Sequence, residues 1–270
     1  MKSEQVWIHC GDVQLYAELC IPGVIPAPAV LVCHGMNSRG FQGLRLYTRL
    51  AEAACKAGFV SLLFDFQGVG RSTGGFDYGL NERENVKCAL NFLASRPDVV
   101  TSKIFVVGHS LGGAVSLYAL QDETRVKGLV LWSTPKNHNY NVRKFIKRTR
   151  GTFGLCSFLI LSRLDRFFNV SKFFKLEVYG INLRPKYVKE KLMKLNECEA
   201  ASRLKNIPLL VVIGESDIIV GLDEAQEIFE AAHNPKTLLV MDSADHIYKG
   251  KEAELISKTV DWIKAVADSI

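Results

Sequence analysis

The sequence predicts an α/β protein: an eight-stranded, mostly parallel sheet flanked by helices, with an inserted subdomain after the sixth strand. Three observations lead there. Eight short, apolar, β-rich runs recur along the chain, and after the first two the intervals between them carry helical periodicity. Such alternation implies parallel strands covered by helices on both faces. The third observation is one interval of about seventy residues, too long for a simple crossover.

The N-terminus, Met1 to Trp7, runs directly into an alternating strand pattern, without the apolar run and small-residue cleavage site of a signal peptide. The first two strands are expected at Val6–Cys10 and Leu15–Cys20, the third at Ala29–Cys33. A helix follows, with Leu44, Tyr47, Leu50, Ala51, Ala54 and Cys55 on one face, and then the fourth strand, Val60–Phe64. Val86, Leu90 and Leu93 mark the next helix. Ile104–Val107 and Val126–Trp132 are the fifth and sixth strands, Leu209–Ile213 and Thr237–Met241 the seventh and eighth. Leu255, Ile256, Val260, Trp262 and Ile263 form the apolar stripe of a terminal helix.

Between the sixth and seventh strands, basic helical sequence (Val142 to Arg150) alternates with aromatic residues: Phe153, Phe158, Phe167, Phe168, Phe173, Phe174, Tyr179 and Tyr187. Residues 136–206 hold 17 Lys and Arg against 5 Asp and Glu, a net +12, whereas the rest of the chain is at −6. We read 1–135 and 207–270 as the core and 136–206 as a small inserted lid or cap subdomain.

Composition narrows the classes. The chain has 270 residues, 48% hydrophobic and 23% charged, as expected of an ordinary soluble globular protein, with no repeats or disordered tracts. Its longest apolar run, Phe153 to Leu161, falls far short of the ~20 residues needed to span a bilayer. Seven cysteines without C-x-x-C spacing read as buried free thiols of a cytoplasmic protein. The six histidines are dispersed, with no H-x-x-x-H pair, so no metal site is expected.

The chemistry centres on Gly108-His109-Ser110-Leu111-Gly112, a G-x-S-x-G pentapeptide between the fifth strand and a helical segment. A serine in so tight a turn adopts strained backbone angles and needs glycine two residues to either side. Its hydroxyl is a poor nucleophile until an oriented base takes its proton. The histidines downstream are His138, His233 and His246. His138 lies at the entrance to the insertion and His233 at the end of a helical run, where surface or capping roles are expected; His246 immediately follows the last strand and is the expected base. Asp217, just past the seventh strand, is the expected acid, with Glu215 as its rival; Asp242 and Asp245 are nearer in sequence, but neighbouring side chains tend to point apart. The backbone amides of Met36, after His34-Gly35, and of Leu111 are placed to form an oxyanion hole. His34 and His109 are expected to brace the site. Gly68 to Gly75 lacks the G-K-[ST] ending of a phosphate loop and reads as a tight turn.

Together, His34-Gly35, the segment Asp65 to Ser72, Gly108 to Gly113, Gly214 to Val220 and Ala244-Asp245-His246 make the chain resemble the α/β-hydrolases, from about Val6 to Ile263. The order serine, aspartate, histidine is the one this superfamily uses. Within it, the insertion and the Gly68-x-Gly70-x-Ser72 turn are most similar to cinnamoyl or feruloyl esterase-like enzymes and their acylglycerol-lipase and serine-aminopeptidase-like relatives. The resemblance implies a serine esterase working through an acyl-enzyme, with no cofactor, and the aromatic-rich insertion favours small to medium, apolar or aromatic acyl groups. The alternatives are a serine aminopeptidase or thioesterase-type acyl hydrolase, or a silent ligand-binding protein that kept the fold. The expected partner is a small-molecule ester. The basic insertion would associate weakly with an anionic surface; nucleic acid is not expected, and a homodimer is left open.

Overall fold

The computed structural model describes residues 1–168, 176–178 and 180–269. The eight expected strands form one sheet: β1 (Lys2–Cys10), β2 (Val13–Ile21), β3 (Ala27–Cys33), β4 (Val60–Phe64), β5 (Val99–His109), β6 (Val126–Trp132), then β9 (Leu209–Gly214) and β10 (Lys236–Met241). Their spatial order is β1-β2-β4-β3-β5-β6-β9-β10. β1 pairs antiparallel with β2, and β2 with β4; every other pairing is parallel. β3, β4, β6 and the part of β5 from Ile104 onward are almost wholly buried, as strands covered on both faces must be.

Helices α1 (Arg45–Lys56) and α8 (Glu252–Asp268) cover one face, through Leu46, Leu50, Leu255 and Ile263. On the other lie α2 (Glu82–Ala94), α3 (Leu111–Ala119) and α7 (Leu222–Ala231), where Val86, Leu90, Val115 and Ile228 join the larger core cluster. Parallel pairing of β3, β5, β6, β9 and β10 brings their C-terminal ends to one edge of the sheet, and the loops leaving those ends build the site.

Between β6 and β9 the chain forms α4 (His138–Phe168), the hairpin β7 (Leu176–Val178) and β8 (Ile181–Leu183), α5 (Pro185–Glu190) and α6 (Glu197–Arg203). The expected basic helix Val142 to Arg150 is the first part of α4; it ends at Gly151, whose φ of 67° and ψ of −176° break the helical path. Phe173, Phe174 and Tyr179, named above among the aromatic residues, lie outside the described residues. Among those described, no helix is long and apolar enough to cross a membrane.

The cysteine expectation is corrected. Cys10 is bonded to Cys88 and Cys20 to Cys55; Cys33, Cys156 and Cys198 are free. The partners are 78 and 35 residues apart, and no local spacing marks them. Packing of α2 on β1 and of α1 on β2 brings their Cα atoms to 5.7 and 6.0 Å, within bonding geometry. Disulfides are uncommon in a reducing compartment, so the cysteines do not support the cytoplasmic reading.

Candidate active site

β5 delivers the chain at His109 to Ser110, which sits at φ 51° and ψ −118° before α3 begins at Leu111. A serine at positive φ persists only where its surroundings hold it. Here the Ser110 N–H donates to the Trp132 carbonyl at 2.8 Å, and the flanking glycines allow contacts that no side chain would. A Cβ on Gly108 would run into the backbone of Gly113, and one on Gly112 into the carbonyls of Cys33 and His34. The start of α3 therefore lies directly against the end of β3, setting Leu111 beside the turn that carries Met36.

His246, in the loop after β10, has its Nδ1 2.8 Å from Asp217 Oδ2 and its Nε2 3.2 Å from Ser110 Oγ. Asp217 lies after β9, and its other oxygen, Oδ1, accepts the N–H groups of Ile219 and Val220 at 2.9 Å each. Burial opposes ionisation of this carboxyl, but the hydrogen bond and charge of His246, with the Val220 amide, outweigh it and hold the group below the usual carboxylate range. The rival carboxylates are engaged elsewhere: Glu215 Oε2 accepts the Ser243 N–H at 3.1 Å, and Asp245 Oδ1 accepts the amides of Ile247 and Lys249. Asp242 Oδ1 takes the Ser243 hydroxyl. The carboxylate that meets His246 is thus Asp217.

A second set of bonds braces the site. The Gly35 N–H donates to the Tyr47 hydroxyl at 2.9 Å, that hydroxyl to His109 Nδ1 at 2.6 Å, and His109 Nε2–H to the His246 carbonyl at 2.9 Å. The His246 carbonyl can only accept, which places the His109 proton on Nε2 and leaves Nδ1 to accept from Tyr47. Burial, reinforced by the charge of His246, lowers His109 to about 3 and keeps it neutral. His34 is likewise lowered by burial, to about 4; its Nε2 accepts the Phe66 N–H and its Nδ1–H donates to the Gly35 carbonyl. Both histidines hold backbone. Tyr47 was singled out above only as one apolar position of a helix face, and nothing in a local motif marks its polar role.

Ser110 and His246 open onto a cavity of about 350 Å³ lined by Met36, Leu111 and Ile247, and by Val142, Phe145 and Leu192 from the insertion. Met36 and Leu111 thus share a wall with Ser110, and Leu111 is the first residue of α3, where an amide has no intrahelical acceptor and the helix dipole favours negative charge. His138, expected at a surface or cap, is buried and lines this cavity, with Nδ1 hydrogen-bonded to Glu197. His233, exposed, bonds the Ser202 carbonyl instead. Among the described residues no cluster of His, Cys, Asp or Glu is arranged to hold a metal ion.

A family model described as serine aminopeptidase, S33, matches residues 25–249. An Escherichia coli relative known as an uncharacterized 31.7 kDa protein in the traX-finO intergenic region is 26% identical over 271 residues, covering 90% of this chain and 92% of its own. The thiohydrolase ApmlB of Arthrinium phaeospermum is 32% identical over 126 residues, 46% of this chain and 40% of its own. Among solved structures, Est1E from Butyrivibrio proteoclasticus with ferulic acid bound superposes with a TM-score of 0.73 at 18% identity, over 96% of this chain and 98% of that one.

Proposed function

Since the chain belongs to the serine aminopeptidase (S33) family of α/β-hydrolases and is a hydrolase, we propose that it is a serine esterase acting on carboxylic esters with small to medium, apolar or aromatic acyl groups. One observation carries the reading: Asp217, His246 and Ser110 are joined by hydrogen bonds at the wall of a mostly apolar cavity. In this reading His246 Nε2 takes the hydroxyl proton as Ser110 Oγ attacks the ester carbonyl. Asp217 holds the tautomer with the proton on Nδ1 and stabilises the imidazolium. The amides of Met36 and Leu111 hold the oxyanion. His246 returns the proton to the departing alcohol; water, deprotonated by the same nitrogen, then attacks the acyl-enzyme, and as the bond to Ser110 Oγ breaks His246 gives that proton back to the serine and the acid leaves. Residues 136–206 serve as a lid over a core formed by 1–135 and 207–270, and their apolar side chains favour an apolar acyl group.

The likeness to a thiohydrolase supports a second reading, thioester hydrolysis by the same residues, and the family's description raises aminopeptidase activity. One panel separates them: initial rates on p-nitrophenyl esters from acetate to palmitate, methyl ferulate, an acyl thioester and an aminoacyl anilide, for wild type and Ser110→Ala. Ester turnover that falls on the order of 10⁶-fold in the variant supports the esterase. A folded protein that is inactive on every ester defeats it, and failure of a fluorophosphonate to label Ser110 as well points to a silent ligand-binding protein.

A further inference from the structure

His138 opens α4 where the chain leaves the sheet, and Glu197 lies at the other end of the same insertion. Main-chain bonds lace the two ends together: the His138 N–H donates to the Leu195 carbonyl at 3.1 Å, and the Glu197 N–H to the Lys136 carbonyl at 3.0 Å. Tyr118 of α3 fastens this joint to the core, its hydroxyl accepting the Asn196 N–H at 2.6 Å. The Glu197 carboxylate is wholly buried; Oε1 takes the His138 Nδ1–H, and Oε2 has no hydrogen-bond partner among the described residues. A buried carboxylate is costly, and pairing of this kind is how a carboxylate orients an imidazole.

With Nδ1 turned to Glu197, the Nε2 edge of His138 is left to the cavity it lines, without a partner among the described residues. Apart from Glu177, which is exposed, and the Ser110–His246 pair, the other polar side chains of that wall are each engaged through at least one polar atom. Tyr47 and His109 belong to the bracing network, Asn141 Nδ2 donates to the Ile219 carbonyl at 2.7 Å, and Asn37 Oδ1 accepts the Arg39 N–H at 2.9 Å. Around His138 the wall is apolar, with Val142, Phe145, Leu183 and Leu192. An imidazole edge facing an alkyl chain there loses water and gains nothing in return.

We propose that His138, oriented by Glu197, binds a hydroxyl group on the substrate away from the scissile bond, so that hydroxylated esters are preferred over plain alkyl esters of equal length. A hydroxyl suits either state of the ring, donating to a bare Nε2 or accepting from Nε2–H. This rests on the esterase reading above and names the substrate class for that same site.

The test compares kcat/KM for methyl octanoate with its 3-, 5- and 8-hydroxy derivatives, and for octyl acetate with 8-hydroxyoctyl acetate. It uses wild type, His138→Phe, and the double variant His138→Phe/Glu197→Leu, which leaves no unpaired buried charge should the single variant fail to fold. Wild type is expected to favour at least one hydroxylated ester by about tenfold or more, chiefly through KM, with the ratio falling to about one in the variants. No hydroxyl preference in wild type, or a preference retained in a folded variant, overturns the proposal while Ser110-dependent hydrolysis of the plain esters keeps the esterase reading standing. Inactivity of wild type on every ester brings down both.

Discussion

His109 Nε2–H donates to the main-chain carbonyl of His246 at 2.9 Å, so the residue preceding the elbow serine holds the loop that carries the histidine beside it. Through Nδ1 and the Tyr47 hydroxyl the same ring reaches the Gly35 amide. Three hydrogen bonds thereby tie together the turn that carries Met36, the end of β5 and the His246 loop.

If that chain acts as one unit, Tyr47→Phe and His109→Leu are each expected to lower kcat about 10- to 100-fold with little change in KM, because a misplacement of about 1 Å costs that much. The double variant should be scarcely worse than either single one, and His109→Gln, which keeps a donor for the His246 carbonyl, should recover part of the loss. A double-mutant cycle in kcat checks this; additive effects would show the bonds acting independently.

Asp217→Asn is expected to leave the fold intact and lower kcat by on the order of 10⁴. The amide oxygen of the replacement can still accept the Ile219 and Val220 N–H groups, which turns its NH₂ toward His246 Nδ1. Nδ1 must then accept, moving the ring proton to Nε2, where it faces Ser110. Thermal melting with single-turnover kinetics checks the pair of claims.

Stability should depend on pH in the acid range. His34 and His109, lowered from 6.5 to about 4 and about 3, stay neutral in the fold but take protons when unfolded. Their contribution is complete above pH 6.5 and is lost as pH falls toward 4. Asp65, raised from 3.8 to about 6 by burial, works in the opposite sense, because its cost grows as pH rises through that window. Of these three groups the two histidines outweigh the carboxyl, so the unfolded chain binds more of their protons and stability should rise with pH between pH 4 and 6. Urea midpoints across that range measure the slope, which Asp65→Asn should steepen.

Gly112→Ala is expected to cost about 1–3 kcal/mol and to lower kcat, because its methyl meets the Cys33 and His34 carbonyls and pushes α3 away from the Met36 turn. Melting temperature and ester turnover should fall together.

Denatured without reductant, the protein should titrate three thiols, from Cys33, Cys156 and Cys198, and seven after reduction. Removing either disulfide by Cys→Ser is expected to cost about 2–4 kcal/mol in urea unfolding.

By itself, the sequence determined what short-range patterning encodes: the eight strands and their helices, the Gly108 to Gly112 elbow, and Asp217 and His246 on loops that follow strands. These are legible because a strand or helix face repeats every two or 3.6 residues, and because a tight turn admits few residue types. Tertiary structure decided which groups meet across long separations. It set Asp217 against His246 and Glu215 against the Ser243 amide through loop geometry, paired Cys10 with Cys88 and Cys20 with Cys55 through helix-on-strand packing, and drew Tyr47 to His109 across 62 residues. It also carried His138 from an expected surface position to the cavity wall, held by a glutamate 59 residues away. None of these leaves a local trace, because a contact between distant side chains depends on where the sheet places their backbones, and periodicity along the chain does not record that.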